Sequence, residues 1–393
     1  MANRCASALA TGAPLQAAEG IVTQVRNRLG MDPPVFVAVF ASTQQPLSEV
    51  MPRLQAAWPD AIIVGASTAG EFTQARDAKG SVSAFALTGE FKVHASLARG
   101  LSTHLEQTVQ TAVGRLPESV EGYPHRTALL LIDPLAGNAE EATLITASML
   151  GDTIRLAGGA AGDDLAMKST TVALGRTIAS DAIVVAEIFS KRPIGVGVCH
   201  GHVPVSKSLE VTRAHGSVVY EIEGRRAWDV WKQETADAAN AIGIDASRLA
   251  DDAVTGFLLR FEAGLPTKSG YKIRAPLSRG EDGSLSFACG IPEGARIAIT
   301  ESVPEKQIDS AREAARRARS QLGGAPMAGA IVFDCICRKL ILGDDFVQGV
   351  RAIARELGEV PLAGFETYGE IAFDVGDMSG FHNTTTVVMA FPA

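Results

Sequence analysis

Apolar residues recur along this chain in two periods, one near 3.6 and one near 2, and the two alternate in blocks. Ala17, Ile21, Val25 and Leu29 fall on one helical stripe that stops at Gly30 and Pro33-Pro34. Residues 35–40 read as a buried strand. Pro46 opens a helix whose Leu47, Val50, Met51, Leu54 and Trp58 make one apolar face, the pattern of a helix lying on a sheet. Strands follow at 61–64, 81–87 and 92–98, then an amphipathic helix at 105–116. Residues 1–16 show neither period and predict a frayed end.

The order strand, helix, strand, glycine turn, strand then starts again. Residues 127–132 form its strand and Ala139–Leu150 its helix, and 154–157 lead into Gly158-Gly-Ala-Ala-Gly162-Asp163. Strands at 170–174 and 182–188 complete it. A third pass runs from a strand at 330–333 through a helix striped by Phe346, Val350, Ile353 and Leu357 to Gly364-Phe-Glu-Thr-Tyr-Gly369-Glu370. Gly65-Ala-Ser-Thr-Ala-Gly70-Glu71 has the same Gly-x4-Gly-Glu spacing, whereas the second copy is one residue shorter. Three such passes indicate internal duplication. Gly65, Gly70, Gly364 and Gly369 are read as turn geometry, and Glu71 as part of the scaffold the copies share. Tyr368, and His382-Asn383 a dozen residues on, set the last copy apart.

A different region separates the second and third passes. Strands are expected at 196–200, 209–212 and 217–224, and a helical turn at 227–231. Residues 232–255, polar and rich in Ala and Asp, read as a linker or lid. Strands at 257–261, 271–275, 285–288 and 296–300 follow, and a long amphipathic helix at 304–322. Helices and strands mix without strict alternation, so the expected class is α+β: mixed or antiparallel sheets flanked by helices, built from repeated strand-helix-strand-strand units. The expected domains are 17–231, holding two of the units, and 256–393, joined by 232–255.

Composition narrows the function. The 393 residues suffice for two or three domains, and 46% hydrophobic with 20% charged residues is ordinary globular usage. A net charge of -8 without a basic stripe argues against nucleic acid as a partner, and the run Arg312 to Arg319 reads as a solvated helix face. No apolar run reaches the roughly 18–20 residues of a membrane helix. The N-terminus lacks a signal-peptide core, and five scattered cysteines are cytoplasmic usage. Cys335 and Cys337, read within an apolar strand, would share one face as small buried hydrophobes.

No nucleophile elbow, phosphate loop or His-Glu-x-x-His is present, so the protein reads as a non-enzyme. The rival enzyme reading is a hydrolase with Cys335 or Cys337 as nucleophile and His382, Glu370 and Tyr368 as acid–base groups. Binding suits the residues better. Arg338, Tyr368, Glu370, His382 and Asn383 offer a cation, an aromatic face, an anion and neutral donors, a set fit for a small polar or zwitterionic molecule. Each also has a structural reading, Glu370 on turn amides and Asn383 as a cap. Among seven histidines, His200 and His202 stand out as two imidazoles on one strand-exit segment.

Several segments in order resemble the FIST family over roughly residues 35–393. They include Ile63-Val-Gly-Ala-Ser-Thr-Ala-Gly70-Glu71, Gly197-Val-Cys-His-Gly201, Tyr220-Glu-Ile-Glu-Gly224 and Ile273-Arg274. Phe333-Asp-Cys335 with Arg338, Gly364 to Glu370 and Phe381-His-Asn383-Thr384 complete the series. The resemblance implies FIST N and FIST C domains, a sensory module for small ligands such as amino acids. It also implies a signalling role through a separate partner, since no output domain is recognisable. The chain is similar in this to the stand-alone haem-based nitric-oxide sensors called NosP. That likeness implies a haem cofactor, nitric oxide as ligand, and a histidine kinase or cyclic-di-GMP enzyme as partner, with homo-oligomerisation left open. His200, His202 and His382 are then the candidates for the iron ligand. A haem-free sensor of amino acids or related metabolites is the alternative.

Overall fold

The computed structural model describes residues 2–268, 270–373 and 380–393. The first pass of the chain comprises β1 (Arg4–Ala10), α1 (Pro14–Leu29), β2 (Phe36–Ala41), α2 (Leu47–Ala57) and β3 (Ile62–Ser67). A hairpin, β4 (Glu71–Thr73) and β5 (Asp77–Ala78), follows, and then β6 (Val82–Thr88). The second repeats it as β7 (Phe91–Arg99), α3 (Leu105–Val113), β8 (His125–Ile132), α4 (Ala139–Leu150) and β9 (Arg155–Ala160). Its hairpin is β10 (Val172–Leu174) with β11 (Thr177–Ala179), and β12 (Ala182–Ser190) closes it.

The third pass opens with β13 (Gly195–His200) and is then interrupted. The inserted module runs β14 (His202–Pro204), β15 (Leu209–His215), β16 (Val218–Ile222), β17 (Arg225–Arg226), α5 (Ala227–Ala241) and α6 (Val254–Arg260). It continues through β18 (Phe261–Pro266), β19 (Tyr271–Arg274), β20 (Pro276–Arg279), β21 (Leu285–Phe287) and β22 (Arg296–Ser302). The third pass then resumes with α7 (Pro304–Ser320), β23 (Met327–Cys335), α8 (Ile336–Leu342), α9 (Phe346–Leu357) and β24 (Leu362–Thr367). The hairpin β25 (Glu370–Phe373) and β26 (Gly380–His382) and the last strand β27 (Thr385–Pro392) complete it.

Among the described residues the three passes build three six-stranded sheets of one plan, and the insert builds a fourth, nine-stranded sheet. In each of the three, the strands joined by a helix are parallel, β2 with β3, β8 with β9 and β23 with β24, and the other pairs are antiparallel. The hairpins are exchanged. β4–β5 adds to β24 of the third sheet, β10–β11 to β3 of the first, and β25–β26 to β9 of the second. Each sheet is therefore finished by its neighbour's hairpin, in a closed cycle.

The inner faces of the three sheets meet in one core, where Phe40 stacks on Phe365 at 4.5 Å and Phe85 on Phe391 at 5.0 Å. Helices α1 and α2, α3 and α4, and α7 and α9 cover the outer faces. The insert has its own core around Trp231, Phe257, Phe261 and Phe287. The α+β class and mixed sheets agree with the sequence reading. No described helix is long and apolar enough to cross a membrane.

Local expectations fail in four places. Residues 4–10 are not frayed: β1 pairs along its length with β6 and buries Ala6, Ala8 and Leu9. Its small Ala and Ser side chains hid the alternation. Residues 232–255 hold the rest of α5, with Thr235 and Ala239 buried, two 3-10 turns and the start of α6. Residues 257–260 are helix and not strand, an ambiguity inherent to a short apolar run. Cys335 ends β23 and Cys337 lies in α8, so the two do not alternate along one strand.

Candidate functional site

Where β23 and β24 end, the swapped hairpin and the insert meet and enclose a polar cluster. β14 brings His202, β18 Glu262, and β19 Lys272 and Arg274, while the β26 strand and its exit bring His382, Asn383 and Thr384. His202, Glu262, Arg274, His382, Asn383 and Thr384 are all buried. Burial of this much polar surface is costly unless it is hydrogen-bonded.

Part of the network is closed. Thr300 Oγ1 donates to the Glu262 carbonyl (2.9 Å), so it must accept from His202 Nδ1 at 3.1 Å, which leaves Nε2 of His202 a bare acceptor. That Nε2 lies 3.6 Å from Glu262 Oε2, too far for a direct hydrogen bond. Glu262 Oε1 accepts from Thr384 Oγ1 (2.7 Å). Arg274 donates to the Phe381 carbonyl at 2.9 Å and pairs with Glu140, and Asn383 Oδ1 accepts from the Ala275 N–H at 3.3 Å.

The rest is open. His202 Nε2, Glu262 Oε2, Arg274 Nε and both ring nitrogens of His382 have no hydrogen-bond partner among the described residues. Buried polar atoms are paired in the great majority of native sites, so such a concentration is unusual. Burial raises the Glu262 carboxyl well above its ordinary range, and Glu370 pushes the same way. Burial, then Lys272 and Arg274, depress the His382 imidazole, and burial does the same to His202. The cluster thus combines neutral acid, neutral imidazoles and cations.

The backbone is strained at the same point. Thr384 has φ 49°, a conformation that β-branched residues rarely adopt. By strand register its counterparts are Gly80 (φ 62°) and Asp181 (φ 50°), each two residues ahead of the position paired with the central strand. Only the third copy places a β-branched side chain there, and that side chain holds Glu262.

The sequence-derived candidates separate into two groups. His382 and Asn383 lie in the cluster. Arg338, fully buried, is engaged by Asp334 (2.5 Å), the Gln307 carbonyl (2.8 Å) and Ser310 (3.2 Å). Tyr368 donates to Asp163 at 2.6 Å and accepts from the Leu165 N–H at 2.8 Å, tying the third turn to the second. Glu370 is held by Thr367 and the Thr385 N–H (3.1 Å), as Glu71 is by Thr68 and Ser81. Gly70 and Gly369 sit in the turns, but Gly65 and Gly364 lie in mid-strand. A Cβ at Gly65 would come 3.1 Å from the Val39 carbonyl oxygen, and one at Gly364 closer still to that of Val332, so close strand approach, not turning, requires glycine there.

Sequence reasoning missed Glu262, Lys272 and the place of Arg274 in the cluster. The one signal for them was the Ile273-Arg274 segment. Glu366 was also passed over: it is buried against Gly70, and burial pushes its carboxyl up to about 8. The Cys335 thiol is likewise pushed well up by burial, the reverse of an activated nucleophile.

His200 is not available to a haem iron. His200 Nε2 donates to the Tyr271 carbonyl at 2.8 Å and its Nδ1 accepts from the His202 N–H at 3.2 Å, so neither nitrogen is free for iron. The cleft reaching His200 and His202 holds about 230 Å³ and is rimmed by Lys306, Asp309 and Glu313. That is below the ~300–1,000 Å³ of small-molecule pockets. His382 is fully buried beside Glu370, its partner across the β25–β26 pair. No group of three or more His, Cys, Asp or Glu side chains suited to a metal ion occurs among the described residues.

Comparison with known proteins gives two family matches. Residues 35–225 match the FIST N domain and residues 227–373 the FIST C domain. A stretch of 161 residues is 27% identical to part of an uncharacterized protein of Methanocaldococcus jannaschii, covering 40% of this chain and 31% of that relative.

Proposed function

Because the chain belongs to the FIST family, whose N and C domains are sensory domains of signal transduction that bind small ligands, we propose that the junction cluster is its ligand site. The ligand is a small polar molecule with both hydrogen-bond donors and acceptors. The observation that carries this reading is the set of five unpartnered atoms on His202, Glu262, Arg274 and His382, contributed by the insert and by the swapped hairpin. A ligand that pairs with them bridges the two modules, so binding favours one relative arrangement of insert and body. Such differential affinity for two arrangements is what a sensor requires.

The test is a thermal-shift screen of amino acids, hydroxy acids and keto acids, because a ligand of the native state raises the melting temperature by mass action. Glu262→Gln and His382→Gln should abolish the shift while Arg338→Gln variants that remain folded keep it. A ligand whose shift survives both junction variants would place the site elsewhere.

A further inference from the structure

Lys272 is out of keeping with its surroundings. It is half-buried on β19, yet its ammonium makes no ion pair or hydrogen bond among the described residues. The nearby carboxylate of Glu140 is taken by Arg274, two residues along and on the same strand face. The Lys272 Nζ instead lies against Gly380, 2.5 Å from where a Cβ would stand. Gly380 (φ 125°) and His382 alternate on β26, so the Lys272 amine and the His382 ring share one face of that strand. Burial first, and the Arg274 cation second, lower the basicity of this amine.

Accepting the junction as the ligand site, we propose that Lys272 captures a small 2-oxo acid as a reversible imine. The unpartnered Nε–H of Arg274 supplies a donor for the carboxylate. The Lys272 Nζ attacks the carbonyl carbon, forming the C–N bond. His382, neutral and unpartnered, relays the two protons of the attacking neutral amine one after the other to the oxygen, which leaves as water when the C–O bond breaks. Amine and ketone give imine and one water; nothing is oxidised or reduced, and hydrolysis reverses the step. The class is distinct from an unmodified amino acid, which has no electrophilic carbonyl.

The experiment is reductive trapping of the full chain with pyruvate and cyanoborohydride, read by intact mass and peptide mapping. One adduct per chain at Lys272 is expected, absent from Lys272→Arg and Lys272→Met, with circular dichroism confirming that at least one of these folds. Arg274→Gln should raise the pyruvate concentration needed by about tenfold while trapping of acetaldehyde, which lacks the carboxylate, changes little. Labelling spread evenly over exposed lysines such as Lys207 and Lys306, or equal in wild type and Lys272→Met, would overturn the capture. If pyruvate raises the melting temperature equally in wild type and Lys272→Met with no adduct, the junction site stands and the imine falls. An adduct at Lys272 that is indifferent to Glu262→Gln and His382→Gln would separate the lysine chemistry from the junction reading.

Discussion

Glu71 and Glu370 occupy one position in two copies of the same turn, and their surroundings differ in an instructive way. Glu71 is satisfied within its own unit, by Thr68 and by both the N–H and hydroxyl of Ser81, and the left-handed position before it in the closing segment is Gly80. Glu370 makes the matching bonds to Thr367 and Thr385, but its left-handed position is Thr384, which reaches out to Glu262 of the insert. The glutamates are scaffold in both copies. What the third copy adds is the strained threonine and the histidine that ends the hairpin, and both face the inserted module. The proposed site sits where the repeat is broken.

The largest effect should come from the turn glycines. A Cβ on Gly369 falls inside the Phe381 ring, which packs against α4, whereas one on Gly70 meets only the movable carboxylate of Glu366. Gly369→Ala should cost about 3 kcal/mol and Gly70→Ala under about 1 kcal/mol in urea midpoints at constant slope. Equal losses would show that the two turns are packed alike. Next, Glu71→Ala strands the Ser81 N–H and should lose about 2 kcal/mol while leaving any ligand-induced thermal shift intact. A lost shift would make the first copy part of the site.

Exchanging the left-handed residues sharpens the contrast. Gly80→Thr should destabilise by about 1–2 kcal/mol, since φ 62° is unfavourable for a β-branched residue and Gln44 Oε1 stands 3.0 Å from the new Cβ. Thr384→Gly should stay within about 1 kcal/mol of wild type, relief of strain offsetting the lost bond to Glu262. A large loss there would mean that the threonine is structural. The smallest effect concerns pH. Burial raises Glu366 from 4.5 to about 8, so the folded chain holds that proton more tightly than the unfolded chain. Its contribution is fully present below about pH 4.5 and is lost as pH rises toward 8. The melting temperature of Glu366→Gln relative to wild type should therefore climb between about pH 5 and pH 8. A flat difference would mean that Glu366 titrates normally.

The repeats were legible because a 3.6 period followed by a Gly-x4-Gly-Glu turn leaves a strong local signal. The partner sheet of each hairpin was not, since nothing in Glu71–Thr73 or Glu370–Phe373 states which strand edge it will join. The same limit governed the site. His382 and Asn383 announced themselves as polar residues beside a strand, but Glu262, Lys272 and Arg274 meet them only through pairings more than a hundred residues apart. Arg338 and Tyr368 looked available because the sequence does not show that Asp334 and Asp163 already hold them. Haem followed from resemblance alone, and the ring nitrogens of His200 are committed to Tyr271 and to the His202 backbone.

The exchanged hairpin gives His382 an address that its sequence position conceals. It is read with the C-terminal repeat, yet through β25 its strand pair is bonded to β9 and so belongs mechanically to the sheet of β7, β8 and β12. A molecule drawing His382 toward the insert therefore pulls first on the second repeat, and not on the sheet of the strand that follows it in the chain. The hairpin acts as a lever with its handle in one repeat and its fulcrum in another, and the load it moves lies in the N-terminal half of the protein.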